Sequence, residues 1–511
     1  MSKYSEVTYG STLYGLPASP SPNLLWSLEI DWDGDRQFTG ENEAEYLIGL
    51  SVRRGRENLI DSSNVRLNRV QVGSASLTLD NSSGRYDSWN AASPLYPNVL
   101  PGKLAKISVR LGEAGTKYPV FAGRISDIQP FSGRDPKVKI TIDDGIRDLL
   151  DSSVDIPVQF SLTVDECIQK VLDALDWPWG VSLDRSPEII PFWSVSSDIS
   201  AWDAIANLAE IGFGKVFVAA DGSLTFLSGT RSFTSRTPVE IDDTIVLKEV
   251  NIPQPWETIR NDVTISAIPT AKLADSEVLW SSSNQVVVVP AMSSLEIWVD
   301  YSVDGSPCRA ADLIQLKPYL DFVAYSEQES TGTDLTAYIS STLVDYGSRA
   351  QLTLSNSGPT DAFLLRLQLR GSPIVDGSTV SYRAQNSSSI EKYGTKKLIL
   401  DYQEQRNPFS AQDLLEAVKN FFVAGQLYPK IQIDSRFDYQ FLLDIAYPVK
   451  YTFGNIPRST LRSSVGYLEH SWTAETGQAV LTTLSLEPYK SRALSVRSWE
   501  FPISLGTATF V

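Results

Sequence analysis

The 511-residue sequence holds one histidine, two cysteines and two methionines. Each scarcity excludes a class of chemistry. With His470 alone there is no His-rich metal site and little scope for a Ser-His-Asp or Cys-His machine. That histidine stands in the alternating stretch VGYLEHSWTAE, where a partly exposed structural imidazole is expected. Two cysteines, Cys167 and Cys308, are too few for a disulfide framework and are read as reduced, with Cys167 on the apolar face of a predicted helix as a core residue. No run approaches the ~18 apolar residues of a membrane span. The opening MSKYSEVTYGSTLYGLPASPSPNLLW is polar and turn-rich where a secretory signal would be apolar, so a soluble chain made in the cytosol is expected. The motifs GxSxG, HExxH, GxxxxGK(S/T) and GxGxxG are all missing. No catalytic residue and no cofactor is therefore assigned, and a non-enzymatic role is expected.

Basic charge is also short. The formal net charge is −17, from 61 acidic against 44 basic residues. A nucleic-acid-binding surface needs a basic footprint to displace counterions from phosphate, so no stable nucleic-acid binding is expected. A surface that DNA must pass without sticking is compatible with that balance. Carboxylate pairs are plentiful in such a chain, which keeps a two-carboxylate glycoside hydrolase open as an alternative.

What is abundant is β-pattern. A 42% hydrophobic content marks a globular chain, and the length suits three or four domains. In ASLTLDN, residues Ala75, Leu77 and Leu79 share one face; AKISVRL repeats this with Ile107, Val109 and Leu111, and KVKITID with Val138, Ile140 and Ile142. Such period-two segments between Gly, Pro, Asn and Ser turns predict a barrel or sandwich. KVFVAADGSLTFLS predicts a hairpin with Asp221-Gly222 in a type I′ turn. Three helices are expected: one capped by Thr163 with Glu166 three residues on, one from Ser200 to a left-handed cap at Gly212, and one from Ser410 to near Gly425. The fold class is mainly β with α+β parts. Expected boundaries are an N-terminal β domain at 1–150, a small α/β domain at 151–245, a β domain at 246–375 carrying a sandwich over about 275–375, and a C-terminal α+β domain at 376–511. Within the sandwich, Phe363, Leu365, Leu367 and Leu369 are expected on one face.

Three groups of residues are candidates for binding. Asp31, Asp33 and Asp35 alternate as at the opening of a calcium loop, but Arg36 and Asn42 stand where an EF-hand needs glycine and glutamate. They form a weak metal candidate beside the simpler reading of a strand end and an Asp-Gly turn. Trp280 and Trp298 could stack on sugars, although strand tryptophans more often pack in a core. The cluster in LTLDNSSGRYD, from Asp80 to Asp87, is read as an Asx-type bend between strands.

The succession WDGDRQFTG, SVRRGR, GSASLTLDNSSGRYDSWNAASPLYPNVLPGKLAKI, FAGRISDIQP, FVAADGSLTF, LQLRGSPI, SIEKYGTKKLILDY and GYLEHSW resembles the tail hub, or tail-tip, proteins of long-tailed bacteriophages over most of the chain. The resemblance implies a structural virion protein of the tail. It implies a homotrimer closing the distal end of the tail tube, two tube-like β domains per subunit matching a six-fold ring, and opening for DNA ejection. Implied partners are the distal tail protein, the tape measure protein and tail tube or central fibre proteins; the sandwich at 275–375, which departs most from a minimal hub, is read as facing outward, where a host-surface glycan is a further candidate. The alternatives are a tail-associated cell-wall or polysaccharide hydrolase and a receptor-binding tail-tip protein.

Overall fold

The computed structural model describes residues 24–38, 42–56, 69–231, 235–242, 246, 250–282, 285–401, 406–424, 426–434, 440–452, 460–476 and 480–489. The protein is mainly β with α+β parts and several separate cores.

Period-two patterning builds the first unit. Strands β1 (Leu24–Ile30), β2 (Leu47–Gly55), β3 (Gln71–Asp80), β4 (Leu104–Leu111), β5 (Lys117–Phe131) and β6 (Lys137–Asp143) lie in the order β1-β4-β5-β6-β3-β2. Ala75, Leu77, Leu79, Ile107, Val109, Val138, Ile140 and Ile142 are all buried in one core, each aliphatic side chain contributing about 1.5–3 kcal/mol of transfer free energy. The sheet curls until the chain entering β2 meets β1: the Glu43 N–H donates to the Leu28 carbonyl at 2.7 Å, and Leu28 N–H to Asn42 Oδ1 at 3.1 Å. These bonds and the isolated Glu29↔Asn42 bridge close the six strands into a barrel, with β1 still an end strand of the sheet.

The second unit shares that sheet. Strand Thr460–Thr473 pairs antiparallel along one edge with β2, through Gly49↔Thr473 to Gly55↔Tyr467, and with Pro448–Thr452, and along its other edge with Leu481–Pro488. At the crossing Gly55 has φ 97°, and a Cβ there would lie 2.3 Å from the Gly466 carbonyl, so only glycine fits. Helices α1 (Gly145–Leu150), α2 (Val164–Ala174) and α3 (Ala201–Ile211) cover this second core. Segments 24–143, 239–242 and 430–488 thus belong to one sheet, although most of the chain between them builds the other units.

The remaining units are nested. Strand Asp262–Ala267 lies between Val380–Gln385 and Lys397–Asp401, covered by α5 (Pro408–Phe422), with α4 (Ser387–Tyr393) in the connection. Between residues 270 and 376 the chain leaves to form a sandwich around the long strand Ala362–Asp376, packed on the sheet of Ser293–Asp300, Arg349–Asn356 and Ile339–Asp345.

Several local expectations shift. Leu364, not Leu365, is buried beside Leu367 and Leu369, because Leu365 is the extra residue of a bulge: Ala324 faces Leu364 while Val323 faces Arg366. In the 215–227 hairpin the Gly222 N–H closes a turn onto the Ala219 carbonyl at 3.0 Å, and Gly222 takes φ 89° without Asp221. This is a longer loop than a two-residue type I′ turn. Helix α3 is capped as expected, the Asp203 N–H donating to Ser200 Oγ at 3.0 Å, but Gly212 has φ −75° and the left-handed position falls on Phe213. Helix α5 begins a turn earlier than Ser410, since Asn407 caps it and Pro408, which has no N–H to satisfy, takes its first position. Gly425, its expected stop, lies outside the described residues.

Candidate functional site

Glu43 is the centre of a buried polar cluster at one end of the first barrel. It is 2% exposed and accepts from Arg85 Nε at 2.9 Å, Arg85 Nη2 at 2.7 Å and the Tyr86 hydroxyl at 2.7 Å. Burial and then the adjacent carboxylate push the Tyr86 phenol well above its usual range. This cluster anchors the loop that follows β3. There the turns run consecutively, with N–H donations from Gly84, Asp87, Asn90, Ser93 and Tyr96 each to the residue three before. Ser82 N–H donates to Asp80 Oδ1 at 2.9 Å, and Asn81 Nδ2 to Asp87 Oδ1 at 2.9 Å. Both acids therefore bond their own loop, which carries Trp89, Tyr96 and Leu100 on its exposed side. Replacing Asp80 and Asp87 together by alanine is expected to lower barrel stability by about 1–3 kcal/mol, at about 1 ± 0.5 kcal/mol per hydrogen bond lost. Denaturant unfolding of the double variant measures this.

Asp31, Asp33 and Asp35 are brought together, their carboxylate oxygens within 4.8 Å of one another. They also hold the loop's own backbone. Asp31, buried, accepts from Gly34 N–H at 2.8 Å and Arg36 N–H at 3.1 Å; Asp33 accepts from Asp35 N–H and Asp35 from Gln37 N–H.

His470 differs from expectation. It is buried at the seam of the two units, with Nδ1 2.8 Å from Thr482 Oγ1 and its ring 5.4 Å from that of Phe441. Burial, and secondarily the Arg54 charge, depress its imidazole to about 3. Arg54 itself is buried and paired with Asp444, whose other oxygen accepts from Ala220 N–H at 2.9 Å. Asp144 completes the group: it caps α1 through the Ile146 N–H at 3.0 Å and accepts from Gly73 N–H at 2.9 Å. Burial raises its carboxyl to about 7 against the pull of those donors. Cys167 is buried in the second core with its thiol pushed up by burial, and Cys308 is half-buried. Neither is placed as a nucleophile.

The two tryptophans part company. Trp280 packs against the sandwich core, whereas Trp298 is 54% exposed on the outer face of its sheet. The Trp298 ring lies 5.0 Å from that of Tyr346 and 5.2 Å from the Arg349 guanidinium. Tyr346 in turn lines a cleft of about 250 Å³ between the sandwich and segment 192–199, which no sequence pattern had signalled. No helix among the described residues is long and apolar enough to cross a membrane.

No family model and no curated protein matches the chain. Among solved structures it is similar to the tail protein from Neisseria meningitidis MC58, at 9% identity over 91% of this chain and 96% of that one, with a TM-score of 0.49. It is also similar to the 43 kDa tail protein of prophage MuSo2 from Shewanella oneidensis, at 11% identity, 92% and 97% coverage and a TM-score of 0.47. The prophage tail protein gp18 from Listeria monocytogenes follows at 8% identity, 90% coverage of each chain and a TM-score of 0.40. These structural neighbours are phage tail proteins. At such identities and scores the overlays alone assign no function.

Proposed function

We propose that this chain is a structural protein of a phage tail: a hub whose three copies form a ring at the distal end of the tail tube. The observation that carries the reading is the pairing of β2 with Thr460–Thr473, which joins two β units side by side in one subunit. Three such subunits around an axis present six β units, the number needed to meet a six-fold tube. The ordered motifs quoted above for the tail hub family support the same assignment, as does the use of the clustered carboxylates to hold loops. Trp89, Tyr96 and Leu100, exposed at one barrel end, are the aromatic and apolar groups favoured at interface centres. The distal tail protein, the tape measure and a central fibre are the neighbours such a hub would join. A net charge of −17 suits a conduit that DNA crosses during ejection, because a carboxylate wall repels phosphate. Electron microscopy of the purified full-length chain, with its mass by light scattering, is expected to show a three-fold ring. A monomer at micromolar concentration would sink the proposal, and Trp89→Asp is expected to shift rings toward monomers without changing the melting temperature of the barrel.

A further inference from the structure

We propose that the cleft beside the sandwich is a saccharide site, binding an uncharged sugar with Trp298 as a stacking platform at its rim. The cleft is lined by Phe192, Ser194, Ser196, Arg309, Tyr346 and Arg406, which come from four separate stretches of chain. Gly347 holds its rim: with φ 85° the turn after Tyr346 sits against segment 156–157, and a Cβ there would lie 3.2 Å from the Ile156 carbonyl.

A sugar ring offers an apolar C–H face and a circle of hydroxyls, so its site needs an aromatic plane and a few convergent donors and acceptors. Both are present. Trp298 supplies the plane, and the Tyr346 ring of the cleft wall lies 5.0 Å from it, inclined at 45°. The hydroxyls of Ser194 and Ser196 lie within the cleft beside the Arg309 and Arg406 guanidiniums, and Asp198 supplies a carboxylate already bonded to Ser196 Oγ at 2.5 Å. Around Trp298, Glu296 and Gln351 continue the polar face, joined at 3.2 Å across adjacent strands.

The guanidiniums around the cleft and Trp298 are already paired. Arg309 and Arg406 both pair with Asp376, at 2.8 and 2.7 Å, and Arg349 pairs with Asp155 at 3.6 Å. With Asp198 and Glu296 counted, four carboxylates stand against three guanidiniums, which favours a neutral polyol over a uronate or a phosphate. The volume of about 250 Å³ lies below the ~300–1,000 Å³ of drug-sized pockets. It suits one sugar unit inside, with the next ring over Trp298.

The site needs only the fold of one chain and does not depend on ring assembly. The test applies the full-length protein to an array of neutral hexose and N-acetylhexosamine oligosaccharides alongside uronate-bearing and sialylated ones. Capture of neutral glycans is expected, weakened at least tenfold by Trp298→Ala and by Tyr346→Leu. The exposed side chain of Trp298 makes its removal tolerable to the fold, which an unchanged melting temperature verifies, and Trp256→Ala, at another exposed tryptophan, is expected to bind like the parent. The proposal is overturned by an array with no neutral glycan bound, by undiminished binding of a folded Trp298→Ala variant, or by preference for the acidic glycans.

Discussion

Glu43→Ala is expected to destabilise the first barrel by about 3–5 kcal/mol, the range for removing one partner of a buried ion pair. The carboxylate takes three hydrogen bonds, two from Arg85 and one from Tyr86, inside a site where Tyr86 is fully buried. Without it the phenol loses its acceptor, and a guanidinium only 20% exposed loses its counter-charge. Arg85 also lies 5.0 Å over the Tyr46 ring, so it is not free to swing into water without giving up that contact. A melting transition lowered by on the order of 10 °C is the calorimetric result. Removing all the polar partners together, as Glu43→Leu with Arg85→Met and Tyr86→Phe, is expected to recover most of the loss, because nothing charged then stays behind. A single variant within about 1 kcal/mol of the parent would show that the cluster is solvated.

The seam between the two β units is expected to show two opposed pH dependences. His470 is held neutral down to about 3, while an unfolded chain protonates its histidine near 6.5. Its contribution is fully present above about pH 6.5 and is lost as pH falls toward 3. Asp144 is held protonated up to about 7, while an unfolded chain releases that proton near 4. Its contribution is fully present below about pH 4 and is lost as pH rises through 7. Each slope is about 1.4 kcal/mol per pH unit, so between roughly pH 4 and 6.5 the pair offsets itself in the parent protein. Single variants separate them. On going from pH 6.5 to 4.5, the penalty of His470→Gln is expected to shrink by about 2–3 kcal/mol and that of Asp144→Asn to grow by as much. Urea unfolding at the two pH values reads both; penalties that stay constant would mean that neither group titrates out of step with the unfolded chain.

Much of the local structure was legible because its causes are local. The alternation of Ala75, Leu77 and Leu79 and the Ser200 cap each follow from groups within a few residues of one another. The errors mark where a distant partner intervened. Leu365 left the buried face because a bulge opposite Val323 and Ala324 shifted the parity of the long strand. His470 read as partly exposed because its own strand alternates, whereas Phe441 and Thr482 cover it. The two sandwich tryptophans looked alike until the packing of the sheets put Trp280 against the core and Trp298 outside. The cleft was invisible, since its lining joins residues near 194, 309, 346 and 406 that share no periodicity.

By itself, the sequence determined that this protein is built mainly of strands, where the 215–227 hairpin and the Ser200 helix cap fall, and that it has almost no histidine or cysteine with which to do chemistry. Tertiary structure alone decided that β2 pairs with a strand some four hundred residues later, that the acids of its loops turn inward to backbone N–H groups, and that one tryptophan stands beside an open cleft. The physical reason is range. Alternation and capping are fixed by bonds and sterics within a turn or a strand, while register, burial and the meeting of loops depend on which surface a remote part of the chain supplies.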